Sequence, residues 1–395
     1  MSSTISPSSE LELADNIADM VARNLPLAIE GGGTRAGLGR PVPNATPMTT
    51  SALTGVTLYE PSELVLAARA GTPLAEIDDL LATKGQRLSF EPMDHRPLFG
   101  SSGTPTIGGV VAANVSGPRR IQAGAARDSL IGVRAVTGKG EIVKAGGRVM
   151  KNVTGYDLVK FLAGSYGTLA VLTEVTFKVL PIPETETTLM LSGLDDTAAI
   201  QALSASLGSP FLVTGAAHSP ASADEPARSY VRLEGFAASV ADQSARLATD
   251  LAGFGAADHL EGAASTEVWS TIRDVGRPGD NRDVPIWRIS TTPGGAPRIV
   301  ETVCRSLDCK VLYDWGGGLI WIAGGGEEDA GASVVRAGVA AVGGHATLIR
   351  APASVRATVE AFQPLAPAVM ALTRRLKQTF DPDGILNPGR MYAGV

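Results

Sequence analysis

Cysteine is nearly absent. Cys304 and Cys309 are the only two in 395 residues. Their i, i+5 spacing fits no zinc or iron–sulfur signature, since those centres usually take four ligands. One pair in a chain this long is no disulfide scaffold either, so both read as ordinary core or surface residues. Whatever the chain does, it carries no iron–sulfur relay of its own. Histidine is almost as scarce: His95, His218, His259 and His345 stand singly, with no His-x-x-His or Glu-His pair. No metal centre is expected. Long apolar runs are missing too. The best candidates, Ile107 to Val115 and Phe161 to Val175, are broken by glycine or polar residues and fall short of the roughly 20 residues of a membrane span. Both read as buried strands or packed turns, and no direct membrane span is expected. Met1 to Glu10 is polar and Ser-rich, without the basic-then-apolar order of a signal peptide, so the expectation is a cytoplasmic protein. There is no basic surplus: 34 Lys and Arg face 40 Asp and Glu, for a net charge of −6. With no basic run interleaved with aromatics, nucleic acid is not an expected partner.

What is present is the composition of a globular protein, 44% hydrophobic and 19% charged, which excludes general disorder. The 46 glycines and 25 prolines announce many tight turns. Leu13, Ile17, Met20 and Val21 share one face of a predicted helix over Leu11 to Asn24. Leu27-Ala28-Ile29 reads as a short strand, and Val56 to Tyr59 and Val65 to Arg69 as two more. Leu74, Ile77, Leu80 and Leu81 predict a helix, with Pro73 at its start and Gly85 past its end. Strands are expected at Ile131 to Thr137, Glu141 to Lys144 and Leu169 to Leu180. Pro181-Ile182-Pro183 marks a boundary. Beyond it, strands (Thr187 to Leu191, Tyr230 to Glu234, Leu319 to Ala323, Ala346 to Ile349) alternate with helical stretches (Ala198 to Leu207, Ala238 to Leu251, Ala330 to Ala341), which suggests an α+β layer. Val369 to Phe380 reads as a basic amphipathic helix, followed by the turn signals Asp381-Pro382-Asp383-Gly384 and Asn387-Pro388-Gly389. The expected domains are 1–182, 183–360 and a tail, 361–395.

Three motifs carry chemistry. In Gly31-Gly32-Gly33-Thr34-Arg35, glycines after a short strand let backbone N–H groups converge on an anion. A surface turn remains the competing reading of this motif alone. A Rossmann fingerprint fits Gly31-x-Gly33-x-x-Ala36 loosely. However, Pro41, Pro43 and Pro47 oppose the helix it should open, and Ser51 to Tyr59 lacks the acidic residue it needs. The second motif, Gly103-Thr104-Pro105-Thr106-Ile107-Gly108-Gly109 into Ala112-Ala113-Asn114-Val115-Ser116-Gly117, suits a backbone packed against a flat or phosphorylated ligand. The third runs from Gly155-Tyr156-Asp157-Leu158 through Gly164-Ser165-Tyr166-Gly167-Thr168-Leu169 to Glu174 and Val175.

These motifs, in this order, resemble the FAD-binding domain of the vanillyl-alcohol oxidase (PCMH) family. Phe380-Asp381-Pro382-x-Gly384-Ile385-Leu386-Asn387-Pro388-Gly389-Arg390 resembles that family's C-terminal segment. The likeness covers about residues 25–182 and the last 25 or so. Within the family, residues 151–158 and Gly344-His345-Ala346-Thr347-Leu348 are similar to the FAD-binding E subunits of bacterial glycolate oxidases, relatives of D-lactate dehydrogenases. The resemblance implies an α+β fold: a PCMH-type FAD-binding domain of two α/β subdomains, an α+β cap domain, and a tail returning to the FAD site. It also implies a cofactor-binding set. Gly31, Gly32, Gly33, Thr34 and Arg35 would wrap the pyrophosphate with main-chain N–H groups. Thr106, Gly108, Gly109, Ala113, Asn114, Ser116 and Gly117 would line the ribityl chain and pyrophosphate. Asp128 would order the site, Glu174 and Val175 would lie near the adenine, and Asn387 and Arg390 would return toward the flavin. A helix or turn cap is the competing reading of Asp128, and a solvated strand residue that of Glu174.

No His or Cys lies in the three motifs, so the FAD is expected to be non-covalent. The implied activity is oxidation of glycolate, a 2-hydroxy acid, to glyoxylate, within a complex containing a second flavin subunit and an iron–sulfur subunit. Membrane association would run through those partners. A stand-alone 2-hydroxy acid dehydrogenase and a non-catalytic scaffold subunit are the alternatives. Such oxidation needs a base and a cation for the carboxylate. His345, with Arg350 five residues on, is the only histidine in a family-like context, and a strand-end histidine is its competing reading. No catalytic residue is assigned.

Overall fold

The computed structural model describes residues 4–147, 157–326 and 328–395. The chain divides into two compact units. One comprises 1–116, 124–182 and 360–395, and the other 117–123 and 183–359.

The first unit opens with helix α1 (Glu10–Ala22). The hydroxyl of Ser9 caps it by accepting from the Glu12 amide, and Leu13, Ile17 and Met20 form its buried stripe, the 3.6-residue period visible in the sequence. Strands β1 (Leu27–Glu30) and β2 (Thr46–Thr49) pair in parallel. Strands β3 (Val56–Glu60) and β4 (Val65–Arg69) enter a five-stranded sheet. Helix α2 (Leu74–Ala82) follows, then α3 (Ile107–Ala112). β5 (Leu130–Thr137), β6 (Ile142–Gly146) and β7 (Ala170–Lys178) complete the sheet in the order β3-β4-β7-β5-β6, every pair antiparallel. The stretch that begins at Ile107 differs from its sequence reading as a strand or packed turn. Thr106 caps it, its Oγ1 accepting from the Gly109 amide at 3.4 Å. Gly108 is required inside the helix because a Cβ there would stand 2.6 Å from that of Ala70.

The second unit is built on one eight-stranded antiparallel sheet. Its strands are β8 (Thr185–Ser192), β9 (Val213–Ser219), β10 (Arg228–Gly235), β11 (Ala257–Glu261), β12 (Ile286–Ser290), β13 (Lys310–Asp314), β14 (Leu319–Ala323) and β15 (His345–Arg350). They lie in the order β11-β8-β10-β9-β13-β14-β12-β15. Helices α4 (Asp196–Leu207), α5 (Ala237–Asp250), α6 (Gly262–Arg273), α7 (Ala296–Cys304) and α8 (Ala332–Val342) pack on it. Leu189, Val231, Ile289, Ile299, Ile320 and Val339 belong to their common core.

The tail helix α9 (Pro367–Phe380) returns to the first unit. Leu386 bridges Leu27 in parallel, and Ile385 and Leu386 share a core with Leu13, Ile17, Met48 and Val171. Lys377 and Asp381, both buried, meet at 2.7 Å. The Lys377 ammonium also donates to the carbonyls of Thr168 and Leu386, and the Asp381 carboxylate accepts from the amides of Ile385 and Leu386.

Candidate cofactor site

A cleft opens in the first unit where β1, the glycine loop, α3 and β7 converge. Gly31 to Arg35 form one wall, and Thr106, Gly108, Gly109 and Ala113 form another. Tyr166, Gly167 and Arg390 also line it, together with Ala170 to Leu172.

The glycine loop is shaped by close backbone approach. A Cβ on Gly32 would stand 1.9 Å from the Thr104 carbonyl oxygen, and one on Gly103 would stand 1.8 Å from that of Gly32. The first two motifs are therefore two turns pressed backbone to backbone. Gly33 takes φ +75°, a left-handed value that costs glycine nothing. Among the described residues, none accepts a hydrogen bond from the amides of residues 31–35. These unspent donors suit phosphate oxygens.

Arg35 adds the decisive electrostatic feature. Its guanidinium is deeply buried, yet Nε and Nη2 have no hydrogen-bond partner among the described residues. Burial lowers its pKa to about 10, while Asp94 and Tyr166 act to raise it, so it is charged at neutral pH. A buried cation with two idle donors is costly unless an anion meets it. Small-residue walls, free amides and an unsatisfied guanidinium together fit the pyrophosphate-bearing part of FAD.

Other sequence candidates stand elsewhere. Asn114 (φ +48°) accepts at Oδ1 from the Arg127 amide, Ser116 Oγ accepts from the Ala126 amide, and Asp128 Oδ2 accepts from the Ala125 amide. All three fix the 125–128 turn. Gly117 lies in the second unit, where its carbonyl accepts from the indole N–H of Trp315 at 3.1 Å. Glu174 and Val175 are ladder residues of β7, paired with Arg69 and Ala68 of β4. Asn387 is buried beside the cleft. Its Oδ1 accepts from the Ile29 amide and its Nδ2 donates to the Tyr166 carbonyl, both at 2.8 Å. Gly155 and Tyr156 of the third motif, and with them residues 151–156 of the segment similar to glycolate oxidase E subunits, lie outside the described residues. The sequence reading missed Leu38, Thr50 and Ala70 in the lining. Nothing local marks them, because only tertiary packing brings such common residues to the cleft.

The histidines do not gather. His95 stacks on Phe99, with ring centroids 5.9 Å apart. His218 is fully buried, with Nδ1 2.9 Å from Ser229 Oγ and Nε2 3.3 Å from Asp196 Oδ1. The Asp196 carboxyl stands below its usual range. Burial opposes ionisation, but hydrogen bonds from His218 and Tyr313 outweigh it. His259 is an exposed edge-strand residue, and His345 begins β15 at the surface. Arg350 spends its guanidinium on the carbonyls of Gly279, Asn281 and Val284. No cluster of three metal-ligating side chains occurs among the described residues. No described helix is long and apolar enough to cross a membrane.

Comparison with known proteins agrees with this geometry. Residues 2–146 match the FAD binding domain family, and residues 362–391 match the C-terminal domain of FAD linked oxidases. The chain is 34% identical to glycolate oxidase subunit GlcE of Escherichia coli (strain K12) over 96% of its own length and 97% of that protein. It is 35% identical to glycolate oxidase subunit GlcD of Bacillus subtilis (strain 168), over 37% of this chain and 30% of that one. Its fold is similar to that of 4-ethylphenol oxidase from Gulosibacter chungangensis, with a TM-score of 0.74 at 13% identity over 99% of this chain and 89% of that one. The chain is an FAD-dependent oxidoreductase and belongs to the family of FAD-linked oxidases that includes glycolate oxidase subunit GlcE.

Proposed function

We propose that this chain is the FAD-holding subunit of a complex that oxidises glycolate to glyoxylate. It would pass the electrons through its flavin to a second flavin subunit and an iron–sulfur subunit. The observation that carries this reading is the buried Arg35 guanidinium, with its two idle donors, beside free amides in a glycine-walled cleft. FAD bound there supplies the hydride acceptor. The chain's own part is to hold the cofactor: Arg35 and the amides of residues 31–35 neutralise and orient the pyrophosphate. Asn387 ties the tail to the cleft by bonding both Ile29 and Tyr166. With only two cysteines, the chain leaves an iron–sulfur relay to a partner. The names of the relatives, subunits GlcE and GlcD of glycolate oxidases, support membership of a multisubunit assembly.

The test is spectroscopic. Purified full-length chain should absorb at about 450 nm, the flavin band, and release the flavin on acid treatment without covalent residue. Anaerobic glycolate should bleach it fully only when the partner subunits are present. Colourless protein that cannot be reconstituted with FAD would overturn the proposal.

A further inference from the structure

The two cysteines, ordinary residues by their sequence spacing, meet in the second unit. Cys304 is the last residue of α7, and Cys309 directly precedes β13. Both thiols are unbridged and partly buried, packed against the core to which α7 and β13 contribute. The residues between them, 305–308, form a tight connection rather than a slack loop. The amides of Ser306 and Leu307 both donate to the Val303 carbonyl, and Leu307 packs against the same core. Beyond Cys309, Lys310 is already paired with Ala323 of β14, and a Cβ on Gly324 would stand 3.3 Å from Cys309 Sγ. The helix end and the strand start thus hold both sulfurs in place. Within that frame the two thiols are hydrogen-bonded to each other.

The pair is unsymmetrical. Cys309 stands below the ordinary thiol value, chiefly because the Cys304 thiol donates to its sulfur; burial and Asp308 oppose this. Cys304 is pushed up, first by that same hydrogen bond, then by burial and by the charges of Cys309, Asp196 and Asp308. One sulfur is therefore the readier thiolate, and its neighbour keeps a proton and lies within reach. That is the arrangement of an attacking and a resolving thiol. A metal centre is a poorer account of the pair, since no cluster of three metal-ligating side chains occurs among the described residues.

We propose that Cys304 and Cys309 form a reversible redox site, oxidised by peroxide to an intramolecular disulfide that ties the end of α7 to the start of β13. The Cys309 thiolate attacks the peroxide O–O bond, giving a Cys309 sulfenic acid and, after protonation, one water. The Cys304 sulfur then attacks the sulfenic sulfur. The S–S bond forms, the S–O bond breaks, and the Cys304 proton leaves with the hydroxide as a second water. The thiol pair gives up two electrons in all, and one peroxide is reduced to two waters. A small dithiol reverses the step by thiol–disulfide exchange. Sulfurs already in contact at anchored positions need little backbone movement to bridge. The site is independent of the glycolate reading above.

Mass analysis of full-length, FAD-loaded protein treated with hydrogen peroxide tests this. Both titratable thiols should disappear with a loss of about 2 Da, the two hydrogens of a disulfide bond. Trypsin cuts after Arg305 and so separates the cysteines, but the two peptides should stay joined until dithiothreitol is added. Bridging should also raise the melting temperature, because it constrains the unfolded chain. Cys304→Ser keeps a hydroxyl donor beside Cys309 but removes the resolving sulfur. It should accumulate a Cys309 sulfenic acid that dimedone traps. Cys309→Ser leaves only the less reactive thiol and should consume peroxide roughly tenfold more slowly or less. Intact thiols at peroxide levels that oxidise glutathione in the same tube, overoxidation of wild-type Cys309 without a bridge, or equal rates in the two variants would overturn the proposal. The wild-type result stands whether or not either variant folds.

Discussion

Arg35 shows how a single side chain can carry a functional argument that the pattern around it cannot. The glycines of the loop admit a plain turn as an explanation, and their close packing against Thr104 is partly structural. A buried guanidinium with two idle donors has no such explanation, because leaving a charge unpaired in the interior disfavours the folded state. Arg35→Met should therefore split two measurements. The melting temperature of flavin-free protein should hold or rise, while the FAD dissociation constant should increase by roughly tenfold or more, the worth of a charge-assisted contact to phosphate. Riboflavin, which lacks phosphate, should bind both proteins equally in a fluorescence titration, and an equal loss of riboflavin affinity would assign Arg35 another role. The same scale shows what residue type alone leaves ambiguous. Asn114, Ser116 and Asp128 are all good ligand donors, yet each is engaged in holding the 125–128 turn.

At the scale of elements, the glycine turn and α3 depend on each other. Gly32 and Gly103 occupy a contact with no room for a methyl group, whereas the nearest atom to a Cβ on Gly33 is 4.0 Å away. Two superficially similar substitutions should thus differ in mechanism. Gly33→Ala meets only the left-handed strain of φ +75°, about 1–2 kcal/mol. Gly32→Ala must push the second motif's backbone away, so it should lower the melting temperature further and cost FAD affinity as well. Thermal melts and flavin content of the two purified variants check the order, and a reversed order would show that the turns do not rely on this approach. Elements also show where periodicity fails. α1 and α9 were legible because their burial is one-sided. Strand β9 is buried along its whole length, with small residues such as Gly215 against Trp269, so it presents no alternation to detect. The run from Ile107 reads as a turn because of its glycines, but only contact with Ala70 reveals that Gly108 serves a helix.

Over the whole molecule, the first unit is closed by chain segments distant in sequence. α9 and residues 381–390 return to β1, and the return is sealed by Lys377 and Asp381 in the interior. Removing one partner of a buried pair leaves the other charge exposed to a medium that cannot solvate it, at a cost of about 3–5 kcal/mol. Lys377→Met should accordingly destabilise the protein by that order in denaturant unfolding. Lys377→Met combined with Asp381→Asn should recover a substantial part, since the amide still accepts from Ile385 or Leu386 without a stranded charge. A double variant no more stable than the single would show that packing of the lysine stem matters more than charge.

The sequence by itself determined the class of fold and the flavin chemistry. Those conclusions depend on which residues are present and in what order: glycine turns after a strand and a tail motif. Only the tertiary structure decided which candidates face the cleft and that Nε and Nη2 of Arg35 are buried without a hydrogen-bond partner among the described residues. The physical reason is the same in each case. Burial and charge proximity arise from contacts between segments up to more than two hundred residues apart, and no local pattern encodes them.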